Sequence, residues 1–251
     1  RYIGGERDRF KDVVGVAVDG AGRILLGHKQ GVSIFDPNGT LSRHVAAVEP
    51  SAFFVDARDK VVLARGDALI LEGALPIGVL VPVAGKVPRQ VEDIPAVITL
   101  SGGDRLVADR KAKTVIRLGS SGKFIGSFAA VNAERLARNE FDDVAMIDRD
   151  SRSIVIVDRD GKNLSRIVAK GTNYVLDDPA DVAFDALGHL FVLEAKRAAI
   201  YVFGAKNRLI ATLTSPGKEP GALQKPRALA LDRAGRLFVF EESSQRIQVY
   251  Q

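Results

Sequence analysis

At 251 residues, 46% apolar and 27% charged, the chain holds enough apolar material for a large core, which excludes disorder, and its length suits one repeat-built or all-β domain. Thirty-six basic against thirty-one acidic side chains leave a net charge of +5, which permits anionic partners without demanding them. The absence of cysteine rules out disulfides, thiolate metal sites and a cysteine nucleophile. It leaves the compartment open, with a secreted or cell-envelope location favoured over a cytoplasmic one.

The opening RYIGGERDRF is polar, with neither an apolar signal core nor an initiator Met, so the expectation is that something upstream has been removed or that the chain is a monomeric domain of a larger protein. No later run approaches the roughly 18 apolar residues of a spanning helix, and no membrane insertion is expected. A motif then recurs along the chain: GVAVDGAGRILLGH from Gly15, SAFFVDARDKVVLAR from Ser51, VITLSGGDRLVAD from Val97, RLARNEFDDVAMID from Arg135, PADVAFDALGHLFVLEAKRAAIYVF from Pro179 and PRALALDRAGRLFVFEESSQRIQVY from Pro226. The last two copies align without a gap 47 residues apart, and a period of this length marks a repeat architecture.

Anchored on their turn residues Gly22, Asp59, Gly103, Asp142, Gly188 and Gly235, the six copies alternate on a strand period, which excludes a helical solenoid. Each reads as strand, tight turn, strand, loop, strand, then a weaker fourth strand such as KFIGSF from Lys123 or RLIATL from Arg208. Blade two is expected to find its fourth strand near GVLVPV, with Pro82 tolerated only at an edge. In blade four, NAERLARNEF reads equally well as a short helix. Near-continuous apolar runs such as LFVL and IYVF predict strands buried on both faces, as in stacked blades.

The predicted fold is therefore all-β, a six-bladed β-propeller of four-stranded antiparallel blades over residues 11–47, 50–84, 93–129, 133–169, 178–214 and 225–251. The chain stops after the third strand of blade six, leaving an open edge. RYIGG copies the fourth strand KFIGS, so residues 1–5 are predicted to close the ring by completing that blade.

GKEPGALQKPRALALDRAGRLFVFEESSQRIQVY, with Pro226, Asp232, Gly235 and the Arg246–Val249 run RIQV, resembles the NHL-repeat family of β-propellers, in particular bacterial NHL-type domains. The resemblance implies a noncatalytic scaffold that docks a protein or other ligand through its loop-rich face. Several NHL-type propellers bind single-stranded RNA on a basic face, so RNA or another polyanion is an alternative partner. Here the loops between second and third strands would gather Lys29, Arg110, Lys111, Lys113, Arg149, Arg152, Lys196, Arg197 and Arg246 on one surface.

A further alternative is a divalent-metal-dependent hydrolase or lyase at the channel mouth. Calcium-dependent propeller lactonases suggest its ion, and Glu92, Asp93, Glu134, Asp178 and Asp181, near the starts of first strands, are its candidate ligands; otherwise no cofactor is expected. His28, His44 and His189 fall in different places, which argues against a histidine zinc site. Two further sets read as structural. Six positions beyond each anchor stand His28, Arg65, Asp109, Asp148, Glu194 and Glu241, suited to accepting loop amides, apart from Arg65. Three before four of them stand Asp19, Asp56, Asp185 and Asp232, suited to holding hairpin turns.

Overall fold

The computed structural model describes residues 2–3, 10–46, 49–56, 58–169, 173–214, 216–219 and 221–251. Six four-stranded antiparallel sheets form in chain order. Their first, innermost strands are Gly15–Val18, Ala52–Val55, Val97–Thr99, Ala133–Arg138, Pro179–Phe184 and Pro226–Leu231. Each inner strand touches those of its two neighbours, and the sixth touches the first, so the blades close into a ring around a central channel.

The buried pattern follows from blade stacking. Second and third strands such as Ile24–His28, Val144–Asp148, Ala199–Phe203 and Leu237–Glu241 are buried at every position, because neighbouring blades cover both faces. The outer strand Leu41–Ala46 is exposed along nearly its whole length.

The hairpins obey the repeat register. All six anchors have positive φ: Gly22 74°, Asp59 60°, Gly103 90°, Asp142 64°, Gly188 80° and Gly235 80°. Three residues earlier, Oδ1 of Asp19, Asp56, Asn139, Asp185 or Asp232 accepts the backbone N–H groups two and four residues on, at 2.8–3.0 Å. These bonds satisfy turn amides locally and fix the register of the two strands they join.

Tyr2–Ile3 pairs antiparallel with Arg246–Tyr250, setting Tyr2 opposite Gln248 and Ile3 opposite Ile247. The N-terminal strand thus completes blade six. Arg1, Gly4 and Gly5 of the predicted closing segment lie outside the described residues.

The start of blade four is a strand, as the six-blade reading expects, Ala133–Arg138, paired with Val144–Asp148, and burial between blades decides against the helix that the pattern also allowed. One local expectation is corrected. In blade two the fourth strand is Ile77–Gly78. The chain then leaves the sheet at buried Val79, whose N–H donates to Asp67 O and whose carbonyl accepts from Val91 N. Leu80–Val81 pairs with Arg89–Gln90 in a separate two-stranded hairpin, and Pro82 follows that strand rather than lying within the blade.

Candidate functional site

Inner strands four, five and six carry β-bulges, after which Arg135 faces Ile147, Asp181 faces Leu193 and Ala228 faces Phe240 in the pairing. Bulges re-aim the side chains beside them. In the repeat register this position lies seven residues before each anchor, and around the ring it reads Gly15, Ala52, Ala96, Arg135, Asp181, Ala228. The small residues sit in the seam to the following blade: Gly15 against Phe53, Ala52 in the core with Val97 and Val107, Ala96 with Val144 and Met146, and Ala228 with Val16 and Ile24. Arg135 and Asp181 place opposite charges in two consecutive seams.

The Asp181 carboxylate is buried, 8% exposed as a residue. Oδ2 accepts the Leu229 N–H of blade six at 3.0 Å, Oδ1 accepts the Val182 N–H at 2.9 Å, and Arg135 Nε stands 4.0 Å from Oδ1. Burial pushes its pKa up from 3.8 to about 6, while the Arg135 charge and the two amides pull against that rise. Arg135 Nη1 donates to Glu134 O at 2.9 Å, and its buried Nε–H finds no acceptor among the described residues.

Two cavities meet at this pair. One, about 850 Å³, opens between the loops of blades one, four, five and six and is walled in part by Phe10, Arg149, Arg152, Asp178 and Arg227. The other, about 530 Å³, is the channel between the inner strands, and Asp181 lines it. Arg135 lines both.

The ring of residues closing the second strands is engaged with its own loops. Glu194 accepts the Asp178 N–H at 3.0 Å through both oxygens, and burial raises its pKa. Glu241 accepts Gln224 N at 2.6 Å and Gln248 Nε2 at 2.9 Å. Asp109 accepts Ala112 N at 3.0 Å, Asp148 accepts Ser151 Oγ at 2.6 Å and Arg166 Nη1 at 3.1 Å, and the His28 ring lies between Gln30 Oε1 at 2.8 Å and Ser33 Oγ at 2.9 Å. Arg65 is exposed.

The basic loops meet acidic neighbours. Lys29 lies 3.9 Å from Asp12 and 3.3 Å from Glu49, Lys113 2.9 Å from Asp150, and Lys196 and Arg197 3.7 and 3.4 Å from Asp177. Arg149 reaches Glu134 at 3.2 Å, Lys111 pairs with Glu92, and Arg246 with Glu241. Arg152 is exposed at the wall of the larger cavity.

These pairings also occupy four of the five candidate calcium ligands, while Asp178 is exposed and lines the larger cavity. Arg110 bridges Asp93 at 3.3 Å and Glu134 at 3.0 Å, Glu92 holds Lys111, and Asp181 has Arg135 beside it. Calcium takes six to eight oxygens at close range, whereas among the described residues no three His, Cys, Asp or Glu side chains gather as metal ligands. The donor set does not fit that ion. Asp181 was legible as a carboxylate near the mouth, but Arg135 was not singled out; charged residues at a position otherwise held by Gly and Ala would have revealed it.

No family model and no curated protein sequence matches the chain. Its structure is similar to a gluconolactonase from Xanthomonas campestris (19% identity, 96% of this chain and 86% of that one, TM-score 0.71). It is also similar to virginiamycin B lyase from Staphylococcus aureus (9% identity, 100% and 87%, TM-score 0.62). A third similar structure is the calcium-binding protein regucalcin from Agrobacterium tumefaciens (16% identity, 92% and 82%, TM-score 0.60). The expectation of a noncatalytic docking module is corrected by this comparison, because propellers of this build include a lactonase and a lyase. At these identities the likeness establishes shared architecture alone: the chain is a six-bladed β-propeller.

Proposed function

We propose that the chain is a hydrolase or lyase that cleaves a lactone or other ester where the channel meets the larger cavity, with Asp181 transferring the proton. The observation that carries this reading is a buried carboxyl with a pKa near 6 facing the channel. An acid held close to neutrality is partly ionised under working conditions, which suits general acid–base catalysis. The similarity to a gluconolactonase and a lyase supports the reaction class. The NHL-like pattern of the last blades is compatible with it, because that pattern describes how a blade is built and leaves channel residues free to vary.

In hydrolysis, the ionised Asp181 takes a proton from water as the water oxygen bonds to the ester carbonyl carbon. Collapse of the tetrahedral intermediate breaks the C–O bond, and the departing alkoxide takes that proton back, leaving acid, alcohol and an unchanged carboxylate. In a lyase the same carboxylate would remove a proton from carbon while the C–O bond breaks.

The test is a panel of lactones and esters assayed with wild type and Asp181→Asn. The substitution is expected to lower kcat by about 10²–10⁴-fold without unfolding the ring. Wild-type kcat/KM should rise with pH through about 6 and then level off, since the base form accumulates above the pKa. An undiminished kcat in Asp181→Asn would overturn the assignment.

A further inference from the structure

Resting on the hydrolase or lyase reading, we propose that Arg135 is the site's built-in cation, stabilising the oxyanion that forms on the substrate and doing so without a divalent metal ion. Three observations lead there. Three of the candidate metal ligands at this mouth, Glu92, Asp93 and Glu134, are already paired with Arg110 or Lys111. Asp181, the buried carboxylate of the channel wall beside the larger cavity, has Arg135 Nε at 4.0 Å, so a divalent ion bound to Asp181 would face a fixed positive charge at ion-pair range. The Arg135 Nε–H is buried and finds no acceptor among the described residues, in a wall common to both cavities.

A guanidinium stays protonated at every working pH and presents its N–H groups in a rigid plane. Placed beside the reacting carbonyl, it meets the negative charge that develops on oxygen in the transition state, where a preorganised donor in a desolvated site acts most strongly. The repeat register makes the placement specific: the equivalent residues in four blades are Gly or Ala, and the guanidinium lies next to the only acidic member of the set. A purely structural link between blades four and five would call for charge complementarity alone. It would not require the guanidinium-bearing side chain to line both cavities.

The experiment combines metal response, carboxyl titration and kinetics on the intact chain, with Arg135→Lys and Arg135→Met. Metal analysis should find no stoichiometric calcium in wild type, and neither millimolar calcium nor a chelator should move its Tm by more than about 1 °C, since a bound ion would stabilise the folded state. In Arg135→Met the Asp181 titration followed by carboxyl ¹³C NMR should move upward, because the neighbouring cation lowers that pKa. Its kcat should fall about 10²–10³-fold with KM little changed, and Arg135→Lys should recover part of the loss.

Calcium bound one to one in wild type, or a calcium-dependent rise in Tm that Asp181→Asn abolishes, would overturn the proposal. So would an Arg135→Met enzyme with undiminished kcat. If no lactone or ester is turned over, yet calcium is ignored and the Asp181 titration responds to Arg135, the reaction class falls while the assignment of a built-in cation stands. Should Arg135→Met fail to fold, Arg135→Lys still decides the case through metal content and kcat.

Discussion

Aspartate replaces glycine at two of the six turn anchors, and each replacement is explained by what its side chain reaches. Asp59 Oδ1 accepts Gly20 N–H of blade one at 2.8 Å. Asp142 accepts Ser101 N–H of blade three at 3.0 and 3.1 Å, Ser101 Oγ at 2.5 Å and Arg138 Nη1 at 3.0 Å. Both hold φ near +60°, a conformation that disfavours a Cβ but that Asp tolerates better than most residues. The cost is offset by latching one blade's turn to the preceding blade. Because Asp142 is buried and bonded several times while Asp59 is half-buried and bonded once to a neighbouring turn, Asp142→Gly should destabilise the fold by about 1–3 kcal/mol. Asp59→Gly should stay within about 0.5 kcal/mol. Denaturant titration of the two variants checks the contrast, and equal losses would refute the latch.

Asp181 has a matching signature in stability. Its pKa is raised in the folded state, so its favourable contribution is complete below about pH 4 and is lost as pH rises through about 6. A displacement from 3.8 to about 6 corresponds to at most about 3 kcal/mol. The stability of wild type minus that of Asp181→Asn should therefore fall by up to that amount between pH 4 and pH 7. A flat difference across this window would show that the carboxyl is not held in its acid form by burial.

At the scale of the element, inner strands do the positioning. Bulges interrupt the pairing of strands Ala133–Arg138, Pro179–Phe184 and Pro226–Leu231 with their partners, on the side of the ring where the larger cavity opens. Gly15–Val18 and Ala52–Val55 pair without a shift. The extra residue carries Glu134, Ala180 or Arg227 toward that cavity. Blade two departs in the opposite direction: its outer strand is two residues long, and the hairpin of Leu80–Val81 with Arg89–Gln90 leaves Leu75, Leu80 and Val87 exposed. The pattern GVLVPV pointed to a strand in the right stretch, but sequence alone could not show that Val79 would be pulled inward and turn the following residues away.

At the scale of the molecule, closure depends on a strand from the other end of the chain. Two residues of Tyr2–Ile3 cover the edge of Arg246–Tyr250. Deleting residues 1–5 should remove about two ladder bonds at roughly 1 kcal/mol each, which for a domain of this size lowers Tm by about 4–8 °C. The bared edge should also pair between molecules, giving concentration-dependent light scattering. A truncated protein with unchanged Tm and no scattering would show that the ring closes without this strand.

The sequence by itself determined the six blades, the hairpin turns and the closing strand, because each is written locally, in strand periodicity, in a turn residue at a fixed place and in a copied fourth strand. It also carried the register that sets Arg135 beside Asp181 in the ring. Only the tertiary structure decided what those two residues are. The raised pKa of Asp181 comes from burial between blades five and six, with its carboxylate fixed by the Leu229 amide of the next blade, and the buried, unpartnered Nε–H of Arg135 comes from a bulge and a seam. The same holds for the basic loops, whose cations are close in space to Glu49, Glu92, Asp150 and Asp177. Charge is counted along a chain, but its environment is made only when distant blades meet.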